Sequence, residues 1–442
     1  MTMRIILGGI IPQAQEWMKN TTKCRLCYNY INCFAHILDV SIIPKVFRMN
    51  ARIAVKRVKE AVMKRVDIER PQLQKIALKI HANPEIGLQE FKASGWLTAY
   101  LEKKGFTVER GICDMPTAFR ATYGTGKPHI AILAEYDALP GVGHACGHNL
   151  ICTIALGAAV ASKQTVDTYG GTVLVIGTPA EEMQGGKIDM VKKGAFNDLD
   201  AALIVHPENF DSATSNALAC QNLYIDFFGK SAHASAGPTQ GINALDAMIL
   251  SFNAIGALRQ HIRSTARIHG IITDGGKAAN VIPDHTRAEF MVRATDDAYL
   301  DELEKKVLNC FIGAAQATGA RLEYRWDERR YAAMRSNMTL AKLYADNMKS
   351  MGRNVRIPSP GPGAGSTDMG NVSQIVPAIH PMLAITQHPV SIHSLEFAQA
   401  AASDSGIQGM IVAAKAVAGM IVDLLVNPDI LHKVKEEFSQ NS

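Results

Sequence analysis

The sequence predicts an α/β protein: a mixed sheet covered by helices, with a smaller α+β unit inserted into it. Three observations point there. Short apolar runs of strand composition alternate with helical patterns over much of the chain. Between about residues 218 and 328 that order gives way to strand, helix, strand, strand, helix. The length of 442 residues exceeds what one ordinary hydrophobic core organises.

Taken in order, residues 1–48 form an N-terminal extension, disordered or a leader. They hold six Lys/Arg and two acids, slightly like a transit peptide, but a single serine and no small-residue cleavage signal. Cys24-x-x-Cys27, with Cys33 nearby, is half a zinc knuckle without its second half. An orderly helical pattern starts at Met49 and opens the first part of the larger domain, 49–217. "RPQLQKIALKIHANPE" and "EFKASGWLTAYLEKKGF" carry apolar residues at helical spacing, and Gly105 stands where a helix would stop. "HIAIL", "TVLVIG" and "AALIV" read as strands, and "NLICTIALGAAVASK" as a buried helix between the first two. The insertion, 218–328, contains "LYIDFFG", a helical stretch over 241–262, "IHGIITDGG", "TRAEFMVRA" and a helix near 297–318. The larger domain resumes over 329–430, with "MLAIT" as a further strand and 406–426 as a buried helix containing Lys415.

Composition narrows the function classes. Apolar residues make up 47% and charged residues 20%, a globular balance. Residues 1–70 carry 13 Lys+Arg against 5 Asp+Glu, which leaves 33 against 36 for the body. A body of that sign is a poor binder of phosphate backbones, so no nucleic-acid partner is expected. No uninterrupted apolar run reaches the roughly 20 residues of a membrane span, so no membrane partner is expected either. Eight irregularly spaced cysteines do not form a disulfide framework, and a cytoplasmic protein is expected, mitochondrial if residues 1–48 act as a leader.

The chemistry concentrates at strand ends. "HIAILAEYDALPGVGHACGHN" runs from a strand to Glu135 and Asp137, then to His144, Cys146 and His148. "TVLVIGTPAEE" ends in Glu181-Glu182, "AALIVHP" in His206, and "MLAIT" leads to His388 and His393. Ligands of open α/β sheets sit beyond the carboxyl ends of the strands, so four segments bring metal-competent groups to one rim. Each group alone has a plainer reading. Cys146 could be a small buried hydrophobe, His206 a satisfied core histidine, Glu181-Glu182 a solvated helix start, and Asp368 a helix cap. Thiolate, imidazole and carboxylate together suit a zinc-type ion and disfavour magnesium or calcium. Five such groups leave room for two adjacent ions, which activate a water and polarise a carbonyl, with one spare carboxylate as general base. A Cys146 nucleophile with His144 or His148 as base would leave Glu181, Glu182, His206 and His393 without a task. A non-catalytic, metal-stabilised regulatory protein would leave the spare acid unexplained.

These residues resemble a known family, the two-zinc metallopeptidases and amidohydrolases that include aminoacylase, carnosinase and the plant indole-acetyl-amino-acid hydrolases. "HACGHN", "GTPAEE", "GKSAHASAGP" and "ANVIPDHTRAEFMVR" occur in the family's order, and the resemblance spans roughly residues 66–430. "EYDALPGVGHACGHN" and "STDMGNVSQIVPAIHP" look nearest to dipeptidases for β-alanyl-lysine or Xaa-Arg type dipeptides. The resemblance implies a catalytic domain with an inserted lid that dimerises. It implies Cys146, His148, Glu182, His206 and His393 as ligands of two zinc ions (manganese as an alternative), with His380 or His388 as weaker choices for the last place. Glu181 would be the general base. His233 would reach the substrate across a homodimer, and Asn280 with Arg293 would hold its backbone or carboxylate.

Two departures from the family pattern stand out. Glu135 occupies a place where many relatives have Asp, leaving an outer-shell role there open beside Asp137. Asn149 replaces the Asp that often follows "CGH", a change that could reach the metal through its surroundings. The expected activity is hydrolysis of a small dipeptide, including β-alanyl or Xaa dipeptides ending in Lys, Arg or ornithine. N-acyl-amino-acid or aminobenzoyl-glutamate hydrolysis is the alternative.

Overall fold

The computed structural model describes residues 43–357 and 365–440, so Cys24, Cys27 and Cys33 lie outside the described residues. Helix α1 (Ile43–His81) begins ahead of the Met49 expected from the pattern and continues through Pro71. It is followed by α2 (Phe91–Lys103), β1 (Thr107–Arg110), β2 (Phe119–Thr125) and β3 (His129–Ala134). Then come α3 (His148–Tyr169), β4 (Gly171–Gly177), the short α4 (Glu181–Gln184) and α5 (Gly186–Lys192), β5 (Ala201–Leu203) and β6 (His206–Glu208). A second unit holds β7 (Ala219–Phe228), α6 (Ala244–Leu258), β8 (Arg267–Asp274), β9 (His285–Ala294), α7 (Asp297–Thr318) and β10 (Arg321–Trp326). The chain then returns through α8 (Met338–Ser350), α9 (Met369–Ile375), β11 (Ala378–Ile379), β12 (Met382–Ala384), α10 (Leu395–Ala402), α11 (Asp404–Val426) and α12 (Pro428–Gln440).

The main sheet has the order β1-β2-β4-β3-β5-β11. Strands β4, β3, β5 and β11 are parallel, and β1 and β2 run antiparallel at one edge. Alternation of side chains along β3 and β4 builds two cores. Ile130, Ile132, Val173 and Val175 face α1, α3 and α11. Ala131, Leu133, Leu174 and Ile176 face Met190 of α5, Phe196, and Met369 and Val372 of α9. Burial on both faces explains why these strands read as continuous apolar runs rather than alternating ones. Helix α11 is apolar and long enough to cross a membrane by length and composition, but 83% of its most apolar window is buried inside the fold. Each of its large apolar side chains, Ile421 and Met420 among them, contributes roughly 1.5–3 kcal/mol through that burial.

The second unit has an antiparallel sheet, β10-β7-β9-β8, whose inner face packs Leu223, Ile225, Phe227, Phe290 and Val292 against α6 and α7. Asp296 caps α7 by accepting from the Tyr299 amide, and Gly319 ends it in the left-handed region. Its fourth strand, "RLEYRW", escapes the sequence reading because most of its residues are exposed and polar.

The structure corrects two readings near the site. "MLAIT" is not a strand of the main sheet: β12 pairs with β6 in a separate two-stranded parallel ladder, Met382 opposite His206. The neighbour of β5 is β11, and His380-Pro381 separates β11 from β12, Pro381 having no amide hydrogen to continue a ladder. "AALIVHP" divides in the same way, into β5 and β6.

Candidate metal centre

Every donor sits just beyond a strand of the main sheet or of the small ladder. β3 runs into Glu135 and Asp137, and a loop then brings Cys146 to the start of α3, whose first residue is His148. β4 leads to Glu181 and Glu182 at the start of α4, while His206 opens β6 and His393 lies in the loop after β12. The backbone is strained at two of these points. Ala180, immediately before Glu181, has φ +61°, and His393 has φ +65°. Both are pinned: the Ala180 amide donates to Glu90 Oε1 at 2.9 Å, and the His393 amide donates to the Ala145 carbonyl at 3.0 Å. Such strain persists only where surrounding contacts impose it, and it clusters at functional sites.

Among the described residues, four triads of donor atoms form there: two share Cys146, and the other two, His148-Glu181-Glu182 and Glu135-Glu181-Asp368, share Glu181. Cys146, His148 and His206 offer atoms within 4.8 Å of one another, and so do Cys146, Glu182 and His393. Cys146 belongs to both of these, so its thiolate would contact an ion held by either triad. Its Sγ lies 3.2 Å from His206 Nε2. Glu182 spans the pair, with Oε1 3.7 Å from His148 Nε2 and Oε2 3.5 Å from His393 Nε2.

The residues present fit divalent cations. His148 Nδ1 donates to the Asp137 carbonyl at 2.9 Å and to Asp137 Oδ1 at 3.0 Å, which leaves Nε2 facing the cluster. His206 Nδ1 likewise donates to the Pro207 carbonyl, at 2.6 Å. His148 Nε2 and Glu182 Oε1 are buried with no hydrogen-bond partner. Unpaired buried polar atoms that converge need an explanation, and a cation supplies it. Burial opposes charge on His148, but Asp137 and Cys146 draw its imidazole well above the ordinary value, and surroundings that attract a proton also attract a metal. Burial pushes the Cys146 thiol well up, which makes it a poor nucleophile in its own right.

The supporting shell runs through acids. Asp137 Oδ2 accepts the Glu182 amide at 3.0 Å while Oδ1 holds His148, so one carboxylate sets two donors. Glu135 and Asp368 each lie 2.6 Å from the ammonium of Lys187, and all three are completely or almost completely buried. Asp368 therefore does not act as a simple helix cap. It makes no capping bond at α9, and its Oδ2 accepts the Lys187 amide instead. Glu135 is long enough to reach Lys187 with one oxygen and approach His148 Nε2 with the other, at 3.6 Å. Burial would raise Glu135, but Lys187 and the neighbouring imidazoles outweigh it and hold its carboxyl at about 2. Glu181 has the opposite fate. Burial, then the charges of Glu135 and Asp368, push it well above the carboxylate range, and cations held beside it would oppose that rise.

Other candidates do not join the cluster. His144 is buried beside His81, and His388 is exposed; neither belongs to a triad. His380 is buried and packs edge-on against His206 with ring centroids 5.4 Å apart, but it falls in none of the donor triads, whereas His393 does. Asn149 makes no hydrogen bond to a donor of the cluster. Its amide donates to the Ala77 and Ala401 carbonyls at 3.3 and 3.0 Å, tying three helices together. Arg293 lines a cavity of about 350 Å³ together with Glu181, Glu182 and His393. His233 and Asn280 do not line it. They are exposed and adjacent, the Ala234 amide donating to the Asn280 carbonyl, on the loops beyond the far end of β9. Asn280 and Arg293 thus do not form a pair within one chain. Sequence reasoning did not single out Lys187, Glu90, Tyr331 or Ser366, whose partners are distant in sequence.

A parallel-centred sheet with convergent donor triads and a half-buried glutamate beside them at its carboxyl rim defines a metal-dependent amide-bond hydrolase. The chain belongs to Peptidase family M20/M25/M40, whose model matches residues 131–420. It is 35% identical over 397 residues to the Xaa-Arg dipeptidase of Mus musculus, covering 86% of this chain and 92% of that one. It is 37% identical over 285 residues to one of the p-aminobenzoyl-glutamate hydrolase polypeptides of Escherichia coli, covering 60% and 59%. Its fold is similar to that of a dinuclear metal-binding M20 peptidase from Bacillus subtilis, with TM-score 0.65 and 20% identity over 81% of this chain and 99% of that one.

Proposed function

We propose that this protein hydrolyses the amide bond of small dipeptides bearing a free C-terminal carboxylate, including those ending in a basic residue. The observation that carries the reading is the half-buried Glu181 beside the two triads that share Cys146, in one cavity with the guanidinium of Arg293. Likeness over nearly the whole length of an Xaa-Arg dipeptidase supports it. Cys146, His148 and His206 would hold one ion and Cys146, Glu182 and His393 the other; thiolate and imidazole favour zinc over manganese. Cations bound there would polarise the scissile carbonyl and acidify a water. Glu181, beside both triads, takes the proton of the attacking water and returns it to the leaving amine. Arg293 orients the substrate through its carboxylate.

The same proposal includes a homodimer through the second unit and a reducing, cytoplasmic setting. His233 and Asn280 are exposed and off the cavity, and Ile271 and Ile272 of edge strand β8 are 63% and 40% exposed. The cysteines Cys113, Cys146, Cys152, Cys220 and Cys310 carry free thiols.

The test is turnover of a dipeptide panel with zinc or manganese supplied. Glu181→Gln should lower kcat by roughly 10²- to 10⁴-fold while metal content stays unchanged. Near-normal turnover in that variant, or activity that survives complete chelation, would reject the mechanism.

A further inference from the structure

The cavity beside the donor cluster contains two opposite charges without ionic partners among the described residues. Among the described residues, no carboxylate lies within ion-pair distance of Arg293. Its Nη1 donates to Ser366 Oγ at 3.3 Å and its Nη2 to Met291 Sδ at 3.6 Å, and its buried Nε has no partner. Asp327 lines the same cavity and forms no salt bridge among the described residues. Its carboxylate is held in place by neutral donors: Oδ1 accepts the Arg329 amide at 2.9 Å and Oδ2 accepts the Tyr224 hydroxyl at 3.3 Å. Glu181 and Glu182, the other acids of the lining, are committed to the chemistry. Arg329 also lines the cavity, but its Nε lies 3.7 Å from Asp189 Oδ2.

The strand register fixes how the two charges are offset. Arg293 on β9 stands opposite Cys220 of β7, and Met291 stands opposite Asn222. Asp327, just beyond β10 on the other side of β7, donates its amide to the Asn222 carbonyl. Cys220 and Asn222 point to one face, so Arg293 and Asp327 flank β7 from opposite sides, about 7 Å out of step along it. Two strand spacings separate β9 from β10, so the α-carbons of Arg293 and Asp327 stand roughly 12 Å apart. The two side chains narrow that gap from either side, and one lysine or arginine residue, carboxylate at one end and cation at the other, can span it.

We infer that Asp327 is the specificity-determining residue for a cationic side chain: with Arg293 on the substrate's carboxylate, Asp327 pairs with the ammonium or guanidinium of the same C-terminal residue. This rests on the dipeptidase reading above and names the residue that selects among dipeptides. A neutral C-terminal side chain leaves the Asp327 carboxylate unpaired in the filled cavity, and an acidic one meets it with like charge.

The experiment compares kcat/KM for alanyl-lysine, alanyl-norleucine and alanyl-glutamate, using the metal-loaded full chain and its Asp327→Asn variant. Asparagine keeps the shape and can still accept the Arg329 amide. The wild-type chain should favour lysine over norleucine by roughly 10- to 100-fold, and Asp327→Asn should erase most of that ratio, the loss falling on the lysine substrate. Asp327→Glu should restore part of it. The inference is overturned if the wild type does not discriminate, if it favours alanyl-glutamate through Arg329, or if Asp327→Asn lowers both rates in proportion. In those cases dipeptide hydrolysis itself still stands. If none of the three dipeptides, nor any other small dipeptide, is cleaved, the dipeptidase reading falls and takes this inference with it.

Discussion

Glu90, at the start of α2, is fully buried, with Oε2 accepting the Thr117 hydroxyl at 2.8 Å and Oε1 accepting the amide of strained Ala180. It thereby fixes the residue from which Glu181 and Glu182 depart. Burial is the main cause that raises its carboxyl to about 7 from the ordinary 4.5. The folded state therefore holds this proton more tightly than the unfolded chain does. The stabilisation is complete below pH 4.5 and is lost as pH rises through 7. Glu90→Gln should consequently raise the melting temperature relative to wild type at pH 8, by a free energy on the order of 3 kcal/mol, and change little at pH 4.5. Equal effects at both pH values would mean that the charge is not the cause. Single residues were legible where chemistry is local: Cys146 and His148 stand two apart, and Glu181 and Glu182 are adjacent. Lys187 was not, because its carboxylate partners lie 52 and 181 residues away in the chain. An isolated lysine in "GGKIDMV" gives no sign that two buried acids await it.

The turn that joins Cys146 to α3 shows how backbone form places donors. Gly147 has φ +79°, and a Cβ there would meet Pro207 Cγ at 2.8 Å and Cβ at 2.9 Å. Pro207 follows His206 on β6, so the glycine lets the strand bearing one donor lie against the helix start bearing another. Gly147→Ala should cost at least about 1–2 kcal/mol from the left-handed backbone alone. The steric conflict should also part His206 from Cys146 and His148. Bound metal per chain, measured by elemental analysis after dialysis, should fall with it; full metal content would show that β6 yields without cost. At this scale the sequence announces strands by apolar runs, so β3 and β4 are plain in it. It does not say which strands pair. β11 is two residues long and β12 three, and only three-dimensional packing assigns one to the main sheet and the other to β6. The polar fourth strand of the second unit is hidden for the converse reason: exposed residues carry no apolar signature.

Across the whole molecule, one chain provides the donors, Glu181 and Arg293 but leaves His233 and Asn280 elsewhere. Strand β9 is ten residues long, so Arg293 near its end and Asn280 ahead of its start are separated by roughly 30 Å of strand. If His233 serves a substrate, it serves one bound to another copy. Symmetric association through the edge of the second sheet would give each cavity a histidine from its neighbour, and would cover Ile271 and Ile272 in the same step. Complementation between two defective chains separates this from a local structural role. Glu181→Gln lacks the base but has His233, and His233→Ala lacks the histidine but has the base. Each should be nearly inactive alone. Mixed in equal amounts after exchange of protomers, they should recover roughly a quarter of wild-type activity, because half of the dimers would each contain one complete site. A mixture no more active than its components, under conditions where exchange is demonstrated by labelled chains, would place His233 outside the partner's cavity.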